Sequence, residues 1–218
     1  MFVASGYIVG TGVVQAAYVN SDGALSGVVT QTFSLLPSRT GTRRYVIAMT
    51  WASSSYHPIL SATIGGVAAS IRSQIKIGDA SDAAIFDAIV PDDGGDAIVV
   101  TFDGALGSNP LTWLSVYDVG DALYSADDID NASGNSISMS VAAKRGDFVI
   151  GCATAYRLLT AGAFSWTGLT EDSDVVIRDN RCSAASIAVA ADGTVAVTAT
   201  SSAANECVGV IAVYTSPG

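Results

Sequence analysis

The sequence predicts an all-β protein with a β-sandwich or jelly-roll-like architecture, built from two internally similar halves. The first observation is composition. Eighteen of the 20 acidic residues are aspartate and there are 22 glycines, and both residue types favour turns over helices. The second is a period of two in many short segments, with no amphipathic helical period over three turns. The third is that the second half repeats the first in the same order.

Strand-like segments separated by turn residues follow one another through the first half. The clearest is 43–52, where Tyr45, Ile47 and Met49 share one face and predict a strand with one buried face. The pair Gly65-Gly66 predicts a two-residue hairpin turn. The predicted strands of this half are 28–36, 43–52, 59–64, 67–77, 83–90, 97–102 and 111–119.

Similar segments follow in the second half, at 136–142, 148–156, 175–178, 183–190, 194–200 and 207–215. Laid over the first half, Tyr45 matches Phe148 at an offset of 103 residues (148 − 45), and Tyr117 matches Tyr214 near the end. We therefore predict a first β repeat over 25–120 and a second over 121–218. The two are expected to pack as one compact body with approximate twofold character, because the join between them lacks a free linker's composition.

Residues 1–24 show no counterpart in the second half, so they are predicted to lie outside the repeat. The segments 2–10 and 13–19 within them are apolar, interrupted by glycine and free of charged side chains. An apolar segment of this kind has to be buried against another protein surface. It is expected either to add strands to its own sheet or to act as an arm that docks on a neighbouring subunit.

The formal net charge is −10, which argues against two classes of partner. A field of this sign repels both a phosphate backbone and an anionic membrane surface, so neither nucleic acid nor membrane is an expected partner. We find no secretory signal, and the apolar runs are too short to cross a bilayer. The chain is expected to be soluble and made in a cytoplasm, with its three cysteines buried as small hydrophobic residues.

No catalytic signature stands out in the sequence. His57 is the only histidine and follows three serines, but its loop is better explained as a polar turn before Pro58 than as a nucleophile and base. A zinc site on His57 would need cysteines from the other half. Glycoside hydrolysis needs two facing carboxylates, and no aspartate is singled out for that role by an apolar setting.

The densest acidic segment contains Asp127, Asp128 and Asp130. Closely spaced carboxylates are ligands that Ca²⁺ prefers, but the order does not match an EF-hand loop. A solvated turn is the simpler interpretation, with Ca²⁺ as a minor alternative and no other cofactor expected. Four aromatic residues could instead stack on sugar rings: Tyr56, Tyr124, Tyr156 and Trp166. For Trp166, packing in the core is the better explanation.

Several strand and turn segments carry a resemblance to a known family. They are RRYVIA at 43–48, SATIGGVAA at 61–69, AIVVTF at 97–102, GDFVIG at 146–151 and WTGLTED at 166–172. Together they resemble the pattern "RYVVVA…SVTIGGVAAT" of small virion-associated proteins of tailed bacteriophages and prophages, often from alphaproteobacterial hosts. The resemblance covers roughly 27–215. It implies a β-sandwich or jelly-roll structural module on a phage particle, and it transfers no catalytic residues.

The leading hypothesis is therefore a non-enzymatic structural protein of the virion, made in the bacterial host cytoplasm. A capsid decoration (cement) protein is expected, contacting major capsid or tail proteins, and a homo-oligomer with a trimer as the first expectation. One alternative is a carbohydrate-binding receptor module of a tail or head fibre, which would use the four aromatic residues. A second alternative is a glycan-cleaving enzyme that depends on a single aspartate.

Overall fold

The computed structural model describes residues 13–53, 56–77, 81–107, 110–156 and 162–217. Within these ranges it contains strands and no helix, which confirms the predicted all-β class. The strands are β1 (Ala17–Ala24), β2 (Thr30–Ser34), β3 (Arg43–Ala52), β4 (Ile59–Ile64), β5 (Val67–Ala68), β6 (Ser70–Ile77), β7 (Ser81–Val90), β8 (Ala97–Phe102), β9 (Leu111–Asp118), β10 (Leu123–Ala132), β11 (Ser136–Ala143), β12 (Phe148–Tyr156), β13 (Phe164–Thr167), β14 (Thr170–Ile177), β15 (Asn180–Ala188), β16 (Gly193–Ser201) and β17 (Glu206–Thr215).

The first sandwich comprises β1 to β9 in two antiparallel sheets. Its inner sheet has the order β1-β9-β3-β7-β6, and its outer sheet has the order β2-β8-β4-β5. Successive strands alternate between the two sheets from β1 to β4 and again from β7 to β9, which is the interleaving of a jelly roll. The hairpin predicted at Gly65-Gly66 is confirmed, because Ile64 pairs with Val67 and both glycines have positive φ.

The second sandwich repeats this arrangement strand for strand. Its inner sheet has the order β10-β17-β12-β15-β14, and its outer sheet has the order β11-β16-β13. Each strand occupies the place of one in the first sandwich, from β10 in place of β1 to β17 in place of β9. Among the strands of the described residues, only β5 lacks a counterpart. The chain therefore builds the same jelly roll twice, with a short extra edge strand in the first copy.

The structure corrects the predicted start of the repeat. Strand β1 pairs with β9 as β10 pairs with β17, and both pairs have a register shift after a tyrosine, at Tyr18 and at Tyr124. Residues 17–24 thus belong to the first repeat, and the prediction that it begins at residue 25 was wrong. Residues 17–24 add a strand to the chain's own sheet, which was one of the two alternatives expected for residues 1–24. Asp and Asn are poor strand formers, so the equivalent strand β10 was missed. Residues 1–12 lie outside the described residues.

The predicted offset between the halves was also wrong by one residue. Val46 pairs with Tyr117, and Phe148 pairs with the equivalent Tyr214, so β3 and β12 correspond at an offset of 102 (148 − 46). A slip of one residue moves every side chain to the other face of a sheet. Accordingly Tyr45 lies in the core of the first sandwich, whereas Phe148 lies between the two sandwiches.

The two inner sheets pack against each other, so the molecule has four layers. Strand β7 lies over β17, β6 over β10, and β3 over β12. One core fills each sandwich, and a third fills the space between the inner sheets with residues such as Val46, Ile85, Ile150 and Val210. The prediction of one buried face for 43–52 was incomplete, because the second face is covered by the other sandwich.

Candidate functional site

The strongest polar cluster in the described structure lies between the two sandwiches, around Asp87. This aspartate sits in the apolar strand β7, and its side chain is 1% exposed. The carboxylate accepts hydrogen bonds from Arg72 Nε (2.6 Å) and Nη2 (3.1 Å) and from Arg44 Nη1. Tyr214 Oη of the second sandwich donates to it at 3.0 Å. Two guanidinium groups thus compensate the charge of one buried carboxylate, and a hydroxyl adds a further hydrogen bond.

A second tyrosine makes the reciprocal contact. Tyr117 Oη of the first sandwich donates to Asp172 Oδ2 of the second at 2.9 Å. Tyr117 and Tyr214 are equivalent residues. Asp172 lies at the bulge of edge strand β14, and the equivalent bulge of β6 holds Arg72, which bonds to the Asp87 carboxylate that Tyr214 contacts. The Ser115 and Ser173 hydroxyls add a contact of 3.0 Å beside this second bond.

Burial sets the protonation of these groups. It raises the pKa of Tyr117 and of Tyr214 well above 10.0, with the neighbouring carboxylates as a further cause, so both hydroxyls remain donors at neutral pH. Burial also raises the pKa of Asp172 above 3.8, against the opposing effect of its bonds from Ser186 and Tyr117. The groups bond to each other across the interface instead of lining a cleft, so the cluster fastens the two sandwiches together.

Two of the predicted sugar-contact residues are partly buried and engaged in contacts within the chain. The guanidinium of Arg72 stacks on the Tyr124 ring at 4.5 Å, Tyr214 meets it edge-on at 6.2 Å, and its hydroxyl donates to Asp127. Desolvation and this bond raise the pKa of Tyr124 to about 12. Trp166 packs partly buried on the core of the second sandwich and donates its Nε1 hydrogen to Ser183 Oγ at 2.8 Å.

The other two lie at the opposite end of the molecule from Tyr124. Tyr156 ends β12, and Tyr56 follows β3, the equivalent strand. The two strands run in the same direction. Their starts lie close together, because Asp87, the partner of Val46, contacts Tyr214, the partner of Phe148. Further along, Cys152 Sγ donates to Met49 O at 3.5 Å. Lys76 Nζ lies over the Tyr56 ring, 4.6 Å from the ring centroid. The four predicted aromatic residues therefore do not form one surface.

The acidic segment predicted as a turn is part of a strand. Asp128 and Asp130 lie in β10, and they accept hydrogen bonds from the backbone N–H groups of Ser140 and Ser138, each at 2.7 Å. Those N–H groups belong to the free edge of β11, so the two carboxylates cap an open sheet edge. Within the described ranges, no three His, Cys, Asp or Glu side chains are gathered where they could hold a metal ion.

One pair of residues was missed in the sequence. His57 Nδ1 lies 2.7 Å from Asp103 Oδ1, and Trp51 Nε1 donates to the His57 carbonyl oxygen at 3.2 Å. The His57 ring can sit there because residue 104 is glycine: a Cβ at that position would lie 2.6 Å from the ring. Ser54 and Ser55, the neighbouring hydroxyls considered in the sequence, lie outside the described residues.

The outer faces of both sandwiches carry no charged side chain on their strands. In the first sandwich the outward positions are mainly Thr and Ser, as at Thr30, Thr32 and Thr101. In the second they are entirely Ser, Thr and Ala: Ser136, Ser138, Ser140, Ala142, Ser165, Thr167, Thr194, Ala196, Thr198 and Thr200. In a chain with a net charge of −10, these two uncharged faces stand apart from the remaining surface.

An open cleft of about 420 Å³ lies where the first sandwich begins, between the start of β1 and the start of β3. Its lining includes Val13, Thr42, Arg43 and Asp121. Arg43 Nη1 lies 3.8 Å from Asp118 Oδ2 at this end.

The three cysteines are buried and free, and burial raises the pKa of the Cys182 thiol to about 11. In the part of the chain that is described, no helix has the length and apolar character to cross a membrane.

Comparisons with known proteins add little to this description. No protein-family profile matches the chain, and no curated protein does. Among solved structures, it is similar to a chain in the atomic structure of the Sulfolobus Turreted Icosahedral Virus, with 10% identity and a TM-score of 0.29. The alignment covers 90% of this chain and 60% of that chain. A similarity at this level carries no argument about fold or function.

Proposed function

We propose that this protein is a non-enzymatic structural component of a tailed-phage virion, and that it decorates and clamps the particle surface. Three features support the proposal: the sequence resemblance to virion-associated proteins, the doubled jelly roll, and the neutral outer faces. Jelly rolls are a common architecture of capsid proteins and lectins, which is support by analogy only.

The observation that carries the proposal is that the buried polar groups bond to each other between the two sandwiches. Asp87 and Asp172 bond across the two sandwiches through Tyr214 and Tyr117, so these groups stiffen the body. An enzyme aims such groups into a cleft, where their pKa values serve proton transfer. A clamp instead needs a rigid body with extended faces that can contact neighbouring capsid subunits.

The partners in this proposal are major capsid or tail proteins and further copies of the chain. A particle surface offers repeated sites related by symmetry, so a cyclic homo-oligomer is expected, with a trimer first. The neutral outer faces are the surfaces on which an acidic protein can approach another acidic surface with least repulsion. Neither nucleic acid nor a membrane is a partner in this proposal.

The experiment compares particles with and without this protein. Particles that lack it should release their genome at lower temperature or after milder osmotic shock, and adding the purified protein should restore resistance. Two matched variants then place one charge on each outer face, Thr101→Lys on the first sandwich and Thr198→Lys on the second. Loss of rebinding in one variant would identify the docking face. Equal resistance of particles with and without the protein would refute the clamp.

A further inference from the structure

The two sandwiches differ at one side, and this difference points to a docking site on the first. In the second sandwich β10 packs along β11, and its Asp128 and Asp130 occupy the outward N–H groups of that edge strand. In the first sandwich the equivalent strands β1 and β2 do not pack along each other in this way. One side of the doubled jelly roll is therefore closed, and the equivalent side is open.

The free edge of β2 can be read from its pairing. Phe102 N–H donates to the Val29 carbonyl oxygen at 2.9 Å. In an antiparallel pair every second residue bonds to the partner strand, so counting from Val29 the bonds to β8 fall on the odd-numbered residues. The N–H groups of Thr32 and Ser34 therefore point away from β8. Their equivalents are Ser138 and Ser140, the two capped residues of β11. Within the described residues, Thr32 and Ser34 have no such cap. Ala24 stands where the second sandwich has Asp130, and Asp22, which stands where it has Asp128, accepts a hydrogen bond from the Gly23 N–H at 2.7 Å.

Apolar side chains surround this open edge. Leu25, Val28 and Val29, which lead into β2, are 57%, 54% and 41% exposed. Val19 and Leu35 are only partly buried against the core of the first sandwich on the same side. An unpaired edge flanked by exposed apolar residues is the kind of site to which an extended segment adds as a further strand.

We propose that residues 2–9 of a neighbouring copy add to the β2 edge as an extra strand. This segment, FVASGYIV, is apolar and uncharged, and like the rest of residues 1–12 it lies outside the described residues. Residues 23–38, which include the receiving strand, are also free of charged side chains, so apart from the neighbouring Asp22 two copies of net charge −10 meet there with little local repulsion. Main-chain hydrogen bonds would supply affinity, and the alternating side chains would cover the open side of the core.

The course of the chain leads the segment away from the β2 edge of its own copy. Before β1, Val14 N–H donates to Gly146 O of the second sandwich at 2.7 Å, so the chain leaves β1 towards that sandwich. Strand β2 belongs to the outer sheet, on the far side of the inner sheet from this point. Each copy then donates one segment and receives one. Such a head-to-tail contact gives a ring where the rotation between copies closes, and that case is the expected cyclic oligomer.

This inference does not depend on the virion role and is tested on the purified full-length protein. We expect an oligomer in light scattering coupled to size exclusion. Thr32→Pro, which removes one outward N–H without touching the bonds to β8, should raise the dissociation constant by about tenfold or more. Thr32→Lys should act in the same direction, whereas Ser138→Lys, at the equivalent position of the closed side, should not. A monomeric wild type, or variants that assemble as the wild type does, would overturn the proposal.

Cross-linking separates a neighbour's segment from the copy's own. Thr32→Cys is mixed with Ala4→Cys in one sample and with Ser5→Cys in another, so that both faces of the added strand are sampled. The native cysteines are buried and remain silent. A disulfide between residue 32 of one copy and residue 4 or 5 of the other supports the proposal. Absence of that bond in both mixtures, or ring closure within a monomer of a doubly substituted chain, contradicts it.

Discussion

Two glycines with nearly the same backbone angle provide a test of how tightly the second sandwich is packed. Gly66 has φ +83° and Gly168 has φ +87°, so alanine at either position takes a left-handed conformation. A Cβ on Gly66 would meet nothing within 4 Å. A Cβ on Gly168 would lie 3.1 Å from the carbonyl carbon of Ala196 and closer still to its oxygen. Ala196 is in β16, the central strand of its sheet, which cannot easily move.

The expected costs follow from these surroundings. Gly66→Ala should lower the free energy of unfolding by about 1 kcal/mol, the cost of left-handed backbone at a residue with a Cβ. Gly168→Ala carries the same strain plus a backbone overlap, which adds about 1–3 kcal/mol. Gly134→Ala is the control, because a Cβ at residue 134 meets nothing within 4 Å and its φ is not in the left-handed range.

Urea denaturation of the three variants measures these differences from the midpoints at a common slope. The reasoning requires Gly168→Ala to be clearly less stable than Gly66→Ala, and Gly134→Ala to match the wild type within about 0.5 kcal/mol. Equal losses at residues 66 and 168 would refute it, because backbone strain alone would then explain both.

Three further outcomes follow from the contacts between and beside the sandwiches. Tyr214→Phe, which removes a bond to the buried Asp87, should cost about 1.5–3 kcal/mol in urea denaturation, whereas Tyr18→Phe, whose hydroxyl donates to Ser21 at a partly buried site, should cost less. The Asp172 carboxyl has a higher pKa in the folded protein than in the unfolded chain. The free energy of unfolding of the wild type therefore falls as the pH rises from 3.8 through the folded-state pKa. Asp172→Asn should therefore gain stability relative to the wild type over that interval, and parallel stability curves would contradict this. Replacing Asp128 and Asp130 together by alanine should uncap β11 and cause concentration-dependent association in light scattering, and a monodisperse double variant would show that the caps are dispensable.

The sequence predicted strands well where one chemical signal was strong. The segment 43–52 alternates large apolar residues with smaller ones, and β3 spans those residues. Strand β10 was missed because Asp, Asn and Ser make up half of it, and β1 was expected only as one of two alternatives for residues 1–24. Pairing with β17 and β9 overrides the weak local preference of both segments. The one-residue error in the offset arose because both faces of the inner strands are apolar, so the pattern did not distinguish them.

The polar cluster was less accessible to sequence reasoning. Asp87 interrupts the apolar run 83–90, and a charge inside a buried strand is a signal that could have marked it. Its partners come from distant parts of the chain, as Tyr214 is 127 residues away, and no local pattern encodes such a distance. The proximity of His57 to Asp103 was hidden for the same reason.

The packing of the two inner sheets has a consequence for synthesis of the chain. The first jelly roll is complete once β9 has left the ribosome, but its inner sheet then presents an uncovered apolar face. About 100 further residues must follow before β17 is available, which takes roughly 5–20 s at common bacterial elongation rates. During that interval neighbouring nascent chains on one messenger could pair through these faces. The nascent first half is thus a natural client for a chaperone, and slow translation of the second half would lower the yield of native protein.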